Sequence, residues 1–228
     1  MAITDAGKLF ESENTNIAVS LALGQAVKAG SLIAIYLGGQ RSGANLDVSS
    51  IADTKGNVWD WKTLASSYRM AGIAWCRTGV AMSTADRITV RWNGTPSYCW
   101  KSAHAFEGAA GTPTEEESRS GTATTASVTL NVTGSDWLTL ASVIFPYDYG
   151  VAGTPLNSSI SQDDNANTTA APWCEGLSRN GTSGSTHTIG LGSLVASLPY
   201  AMVGVSFPAE ALTAPPVAKT GTAFLIGV

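Results

Sequence analysis

The chain has two histidines, His104 and His187, and three cysteines, Cys76, Cys99 and Cys174, from which a nucleophilic site could be built. A serine or cysteine nucleophile needs a base within hydrogen-bond reach. His104 falls in the middle of an alternating segment, Tyr98–Phe106, on the same face as Trp100 and Phe106, where a packed histidine is expected. His187 lies in a stretch rich in Gly, Ser and Thr with no acidic neighbour. The nearby Gly181-Thr-Ser-Gly-Ser-Thr departs from the Gly-x-Ser-x-Gly elbow and has no strand-to-helix context. No pair of carboxylates stands out on neighbouring strands, as glycoside hydrolysis requires. The expectation is a protein that is not an enzyme and carries no catalytic residues and no cofactor.

Metal binding fares little better. Asp163, Asp164, Asn165 and Asn167 form an oxygen-rich run of the kind that can hold Ca²⁺, but the same residue types make ordinary solvated turns, so no metal site is assigned. Glu115-Glu116-Glu117 reads as a solvated loop. The cysteines are odd in number and lack metal-ligand spacing. They read as buried thiols, since free Cys behaves as a small hydrophobe. A Cys76–Cys99 bridge requires their strands to be neighbours. The best binding residues are aromatic: Tyr147 and Tyr149 flank Asp148 in Pro146–Gly150, and Trp173 closes the same polar stretch. Rings in a loop can stack on sugars, and they serve equally well in protein interfaces, so Tyr147, Asp148, Tyr149 and Trp173 are assigned to a glycan or a partner protein.

The elements that must position these residues are strands. Ile17, Val19, Leu21 and Leu23 alternate with small residues, Leu32–Leu37 is a continuous apolar run, and Ile88, Val90 and Trp92 oppose Arg87, Thr89 and Arg91. Asp53, Gly56 and Asn57 mark a tight turn between Val48 and Trp61, in which the Asp53 carboxylate can accept turn N–H groups; it reads as a hairpin. Further strands are read at 72–78, 98–106, 127–132, 137–145, 173–177, 186–191, 200–207 and 223–228. The spacing predicts an all-β fold, a two-sheet antiparallel β-sandwich of jelly-roll type with about eleven or twelve strands. Residues 1–16 read as an N-terminal arm, or a short helix at Asp5–Glu11. Residues 17–228 read as one sandwich domain with a long loop insertion at 146–171.

Charged residues make up only 13% of the chain, against about 25% in an ordinary soluble domain, which suits a protein whose surface is partly covered by neighbours. The net charge of −4 and the lack of any basic run exclude a nucleic-acid backbone as partner. The longest apolar run is too short to span a bilayer, which predicts no membrane partner. The N-terminal residues lack the basic and apolar regions of a signal peptide, so synthesis in the cytosol is expected.

Residues 17–108 resemble a β-sandwich module of tailed-bacteriophage structural proteins and some bacterial surface proteins. The resemblance rests on the apolar strand Ala29–Leu37, the segment Ser50–Trp59 with Asp53-Thr-Lys-Gly56-Asn57, the strand Asp86–Trp92 and the ending Ala105-Phe106-Glu107-Gly108. Val128–Val132 and Asp136-Trp137-Leu138 fit the same pattern loosely. The first eight residues, Met1 to Lys8, resemble the openings of phage tail proteins. The resemblance implies a virion component, either a capsid decoration or head-fibre protein or a minor tail protein. Such a protein docks onto other virion subunits, forms homo-oligomers and ends in the particle after synthesis in the host cytoplasm. The alternative is a lectin-like module that holds a host surface polysaccharide.

Overall fold

The computed structural model describes residues 2–132, 136–146, 154–158, 160–164, 172–182, 184–194 and 197–211. Among them, sixteen strands follow one another with no α-helix. The first eight are β1 (Thr4–Asn14), β2 (Ala18–Ala22), β3 (Leu32–Gln40), β4 (Val48–Asp53), β5 (Asp60–Ser66), β6 (Arg69–Arg77), β7 (Arg87–Trp92) and β8 (Tyr98–Glu107). The second eight are β9 (Glu115–Ala123), β10 (Ala126–Asn131), β11 (Trp137–Phe145), β12 (Thr154–Pro155), β13 (Ile160–Asp164), β14 (Trp173–Gly181), β15 (Thr186–Gly192) and β16 (Leu198–Pro208).

The two sets form the same topology. In the first, a five-stranded sheet runs β1-β8-β3-β6-β5 and a three-stranded sheet β2-β7-β4. In the second, the orders are β9-β16-β11-β14-β13 and β10-β15-β12. Adding eight to each strand number of the first set gives the second, so the chain is a tandem repeat of one antiparallel jelly-roll topology. The segment 146–171, expected as an insertion, joins β11 to β14 as residues 41–68 join β3 to β6. It contains the counterparts of β4 and β5.

Alternation explains which face of each strand goes where. Ile33, Ile35 and Leu37 of β3 point with Met70, Ala74 and Cys76 of β6 toward Ile88, Val90 and Trp92 of β7, and this is the core of the first sandwich. Leu32, Ala34 and Tyr36 point the opposite way and meet Leu138, Leu140 and Ile144 of β11 and Val203, Val205 and Phe207 of β16. The remaining face of β11, with Val143 and Phe145, packs on Val128, Leu130, Ile189 and Leu191 to form the core of the second sandwich. The molecule is therefore four layers deep, with the five-stranded sheets inside and the three-stranded sheets outside. A strand buried on both faces has to be apolar throughout, which is why β3 and β11 read as continuous runs.

The inner sheets interlock. A Cβ on Gly176 would lie 2.7 Å from the Tyr36 ring, and one on Gly38 would lie 2.3 Å from the Cys174 Sγ. Tyr36 thus seats over Gly176 while Cys174 seats over Gly38. Trp75 and Phe207 meet edge to face at 5.8 Å between centroids. Ser142 donates to the Leu37 carbonyl at 3.0 Å, and the Asn180 amide donates to the Ile3 carbonyl at 2.7 Å. These contacts set β3 and β11 side by side in the same direction, so corresponding ends of the two sandwiches lie at the same end of the stack.

Several expectations are corrected. Thr4–Asn14 is a strand, neither an arm nor a helix; it pairs with β8 through two bulges and buries Leu9 and Phe10. Glu115–Glu117 opens strand β9 on the edge of an inner sheet, not a loop. The turn after Asp53 joins no hairpin. β4 pairs with β7 and β5 with β6, so the turn carries the chain from an outer sheet to an inner one. The expected role of Asp53 holds: its carboxylate accepts from Lys55 N at 2.8 Å, Asn57 N at 3.3 Å, Asn57 Nδ2 at 3.1 Å and Trp59 Nε1 at 2.8 Å. Cys76 and Cys99 sit opposite Ile33 and Gly39, on strands separated by β3, and all three thiols are free and buried. The strand expected at 223–228 lies outside the described residues.

Because the inner sheets share one core, truncating it destabilises both sandwiches. Phe207→Ala should cost about 3–5 kcal/mol and shift a single cooperative transition in calorimetry and in urea. A split transition with an unshifted first component would show that the sandwiches unfold independently.

Candidate functional site

Both histidines are buried. His104 is buried in the shared core, edge-on to Tyr36 at 6.1 Å and stacked on Phe106 at 6.4 Å, with the Asp5 carboxylate 3.7 Å from Nδ1. His187 is buried against Trp137 at 5.1 Å, and its Nε2 has no hydrogen-bond partner among the described residues. Burial, with the Arg179 charge adding to it, lowers its pKa to about 4. Among the described residues no group of three or more His, Cys, Asp or Glu side chains could hold a metal ion. Asp163 and Asp164 belong to β13, while Asn165 and Asn167 lie outside the described residues.

Sequence reading overlooked Lys101. Its position on β8 faces the first sandwich core, where it is fully buried; Nζ lies 3.3 Å from Cys99 Sγ and 5.8 Å from the centre of the Trp92 ring. Burial lowers its pKa, and the thiol beside it offsets that only in part. A thiol is a weak acceptor. The pair is closed to solvent and has no access for a substrate.

One end of the first sandwich is built from three connections. There β3 leads into the loop 41–47, β5 turns into β6 at Ser67-Tyr68, and β7 turns into β8 at 93–97. The two-residue turn is forced by register, because Ser66 pairs with Arg69. A connection this short takes positive φ at both central residues, normally Asn-Gly. Here Ser67 has φ 50° and Tyr68 φ 69°. A bulky residue in this region costs roughly 1–2 kcal/mol, yet the Tyr68 side chain buries little, being 51% exposed. Arg41 N donates to the Tyr68 carbonyl at 3.0 Å. The Arg41 guanidinium lies flat on Gly94, where a Cβ would come within 2.4 Å of Cζ and Nη1. Asn93 and Asp47 clasp each other, Asp47 N to Asn93 Oδ1 at 3.0 Å and Asn93 N to Asp47 O at 2.9 Å. The loops that carry Arg41 and Asn93 are thus held on a fixed frame around Tyr68.

Of the residues read from sequence as a binding site, Tyr147, Asp148 and Tyr149 lie outside the described residues. Trp173 is the first residue of β14 and pairs with Phe145, the last residue of β11. Because β3 and β11 run the same way, this strand end lies at the same end of the stack as Arg41 and Tyr68. Tyr68 itself was not singled out from sequence. The Ser-Tyr pair carries none of the Gly or Asn that marks such a turn, and only the register shows it.

No family model, curated protein or solved structure matches the chain.

Two titrations follow from the buried bases. The unfolded chain protonates Lys101 below its ordinary value of 10.5, while the folded chain resists doing so. Stability therefore rises with pH from the lowered folded pKa up to about 10.4. Lys101→Met should raise stability at pH 7 by about 1–3 kcal/mol and flatten that rise in urea titrations at several pH values. For His187, stability should fall as pH drops from about 6.5 toward about 4. His187→Phe should remove that part of the acid loss in the same measurement.

Proposed function

We propose that this chain is a non-enzymatic structural subunit of a tailed-bacteriophage particle, docking through its outer sheets onto other virion subunits and copies of itself. The observation that supports this reading is the distribution of charge on sheet edges. An open edge presents unpaired N–H and C=O groups, and proteins that must not pair there blunt it with charge, Pro or bulges. The four edges of the inner sheets are blunted: β1 carries Asp5, Lys8, Glu11 and Glu13, β5 carries Asp60 and Lys62, β9 carries Glu115–Glu117 and Arg119, and β13 carries Asp163 and Asp164. The outer edges differ. β4 has a register shift between Val48 and Ser50 and β12 carries Pro155, while β2 (Ala-Val-Ser-Leu-Ala) and β10 (Ala-Ser-Val-Thr-Leu-Asn) have no charged residue of their own.

On β2 the odd positions bond to β7, as in the Trp92 N to Ile17 O bond at 2.8 Å, which turns the N–H groups of Ala18, Ser20 and Ala22 and the carbonyls of Ala18 and Ala22 outward. The Ser20 carbonyl accepts from Arg87 Nη2 at 3.0 Å, a bond that an incoming strand has to displace. Ile17, Val19 and Leu21 lie along the same edge and are incompletely covered. An added strand would satisfy the backbone and cover that apolar row in one step. The sequence resemblance of residues 17–108 and the low charge of the chain favour the virion as the setting.

Mass spectrometry of purified particles should find the chain at a fixed copy number, and its absence from particles would overturn the proposal. Ala22→Lys places a charge on the β2 edge at an exposed position outside all three cores. It should leave the unfolding temperature unchanged while reducing incorporation into particles at least tenfold. Incorporation at the unmodified level would remove β2 as the docking edge.

A further inference from the structure

The loop end around Tyr68 holds a large exposed ring in a backbone conformation that its residue type disfavours. Among the described residues nothing accounts for the choice, because a glycine or asparagine there would close the same turn without strain. Strain kept in place by a rigid frame is a signature of a functional position. The neighbouring chemistry narrows the function. Arg41 has no acidic partner among the described residues, and its guanidinium is fixed against Gly94. The Asn93 carbonyl oxygen is occupied by Asp47 N, which leaves its exposed Nδ2 as a donor. Arg41 is the one basic residue in the loops 41–47, 67–68 and 93–97, so the site is suited to one acidic substituent at a time, whether on a carboxylate or a phosphodiester polymer.

We propose that this loop end binds an anionic saccharide. Tyr68 presents a ring face to the sugar C–H groups, the Arg41 fork pairs with the acidic substituent, and the Asn93 amide donates to a ring hydroxyl. The planar guanidinium matches a carboxylate or a phosphate in bidentate fashion. The two sources of that charge are a uronate and a phosphodiester-linked sugar polymer. The inference goes beyond the virion reading and does not depend on it.

The test is affinity gel electrophoresis of the full chain in gels containing alginate (a uronate polymer), a teichoic acid (a phosphodiester polymer) or neutral dextran. Retardation is expected in one of the two anionic gels and not in dextran, and the gel that retards identifies the acidic group. Tyr68→Gly removes the ring and relieves the positive φ. It should raise the thermal midpoint by about 2–4 °C while abolishing retardation, an outcome that loss of folding cannot produce. Tyr68→Phe should retain binding, and Arg41→Gln should weaken it at least tenfold. The inference is overturned by no retardation in either anionic gel, by undiminished retardation of Tyr68→Gly, or by equal retardation in dextran that Arg41→Gln leaves unchanged.

Discussion

The face-to-face packing of the two inner sheets is the constraint on which the rest of the molecule depends. Tyr36 over Gly176 and Cys174 over Gly38 leave no room for a Cβ at either glycine, and Trp75 meets Phe207 across the same plane. These contacts are possible only if β3 and β14 are held in one register. That register places equivalent ends of the two sandwiches side by side. It also explains the composition of the inner strands: each must be apolar on both faces, so β3, β11 and β16 carry few polar residues, and those that occur are tied down. Ser142, for example, gives its hydroxyl to the Leu37 carbonyl.

Burial on both faces has a second consequence in the titratable groups. A polar group that sits in one of the three cores cannot be rescued by water, so its protonation equilibrium shifts away from the charged form. Burial is the leading cause for Lys101, His187 and the thiols of Cys76, Cys99 and Cys174 alike. A perturbed pKa in a cleft would point to catalysis. In a closed core it points to stability and its pH dependence. The difference between the two readings lies in access, and access is what β8 and β15 deny to Lys101 and His187.

Much of this was legible in the residues, and the gaps have physical causes. Alternation at 17–23 and 87–92 and the run at 32–37 located β2, β7 and β3 because half-buried and doubly buried strands leave different patterns. The polar strands β1 and β9 were not recognised, since an edge strand blunted with charge has the composition of a loop. The duplication left traces that strand-by-strand reading passed over. Val19-Ser20-Leu21-Ala22-Leu23 is matched by Val128-Thr129-Leu130-Asn131-Val132, and Asp86-Arg87-Ile88-Thr89-Val90 by Ser185-Thr186-His187-Thr188-Ile189. Both members of each pair occupy equivalent strands. The segment from Asp53 to Trp61 was located but misjudged as a hairpin, because the same Asp-x-x-Gly-Asn chemistry closes a turn whichever sheet the next strand joins. Pairing partners are a long-range property, and the local turn does not encode them.

One topological choice ties the shared core to the open edges. A symmetric jelly roll divides its eight strands evenly between two sheets. Here the fifth strand of each set crosses to the larger sheet, β5 onto β6 and β13 onto β14, and the Asp53 carboxylate secures that crossing in the first sandwich. The gain is a wider inner face: Leu64 of β5 packs against the shared core, and Lys62 reaches Glu116 of β9 at 3.8 Å across the sheets. The cost falls on the outer sheets, where β4 loses the neighbour it would otherwise have and becomes an edge. The crossing alone does not dictate the turn that follows it: β5 returns to β6 through Ser67 and Tyr68, whereas β13 is separated from β14 by eight residues. The positive φ of the first turn is therefore a property of its length, set by the pairing of Ser66 with Arg69. The crossing common to both sets opens the β4 and β12 edges and widens the inner faces, and it is the move that makes two small sandwiches into a single four-layer stack.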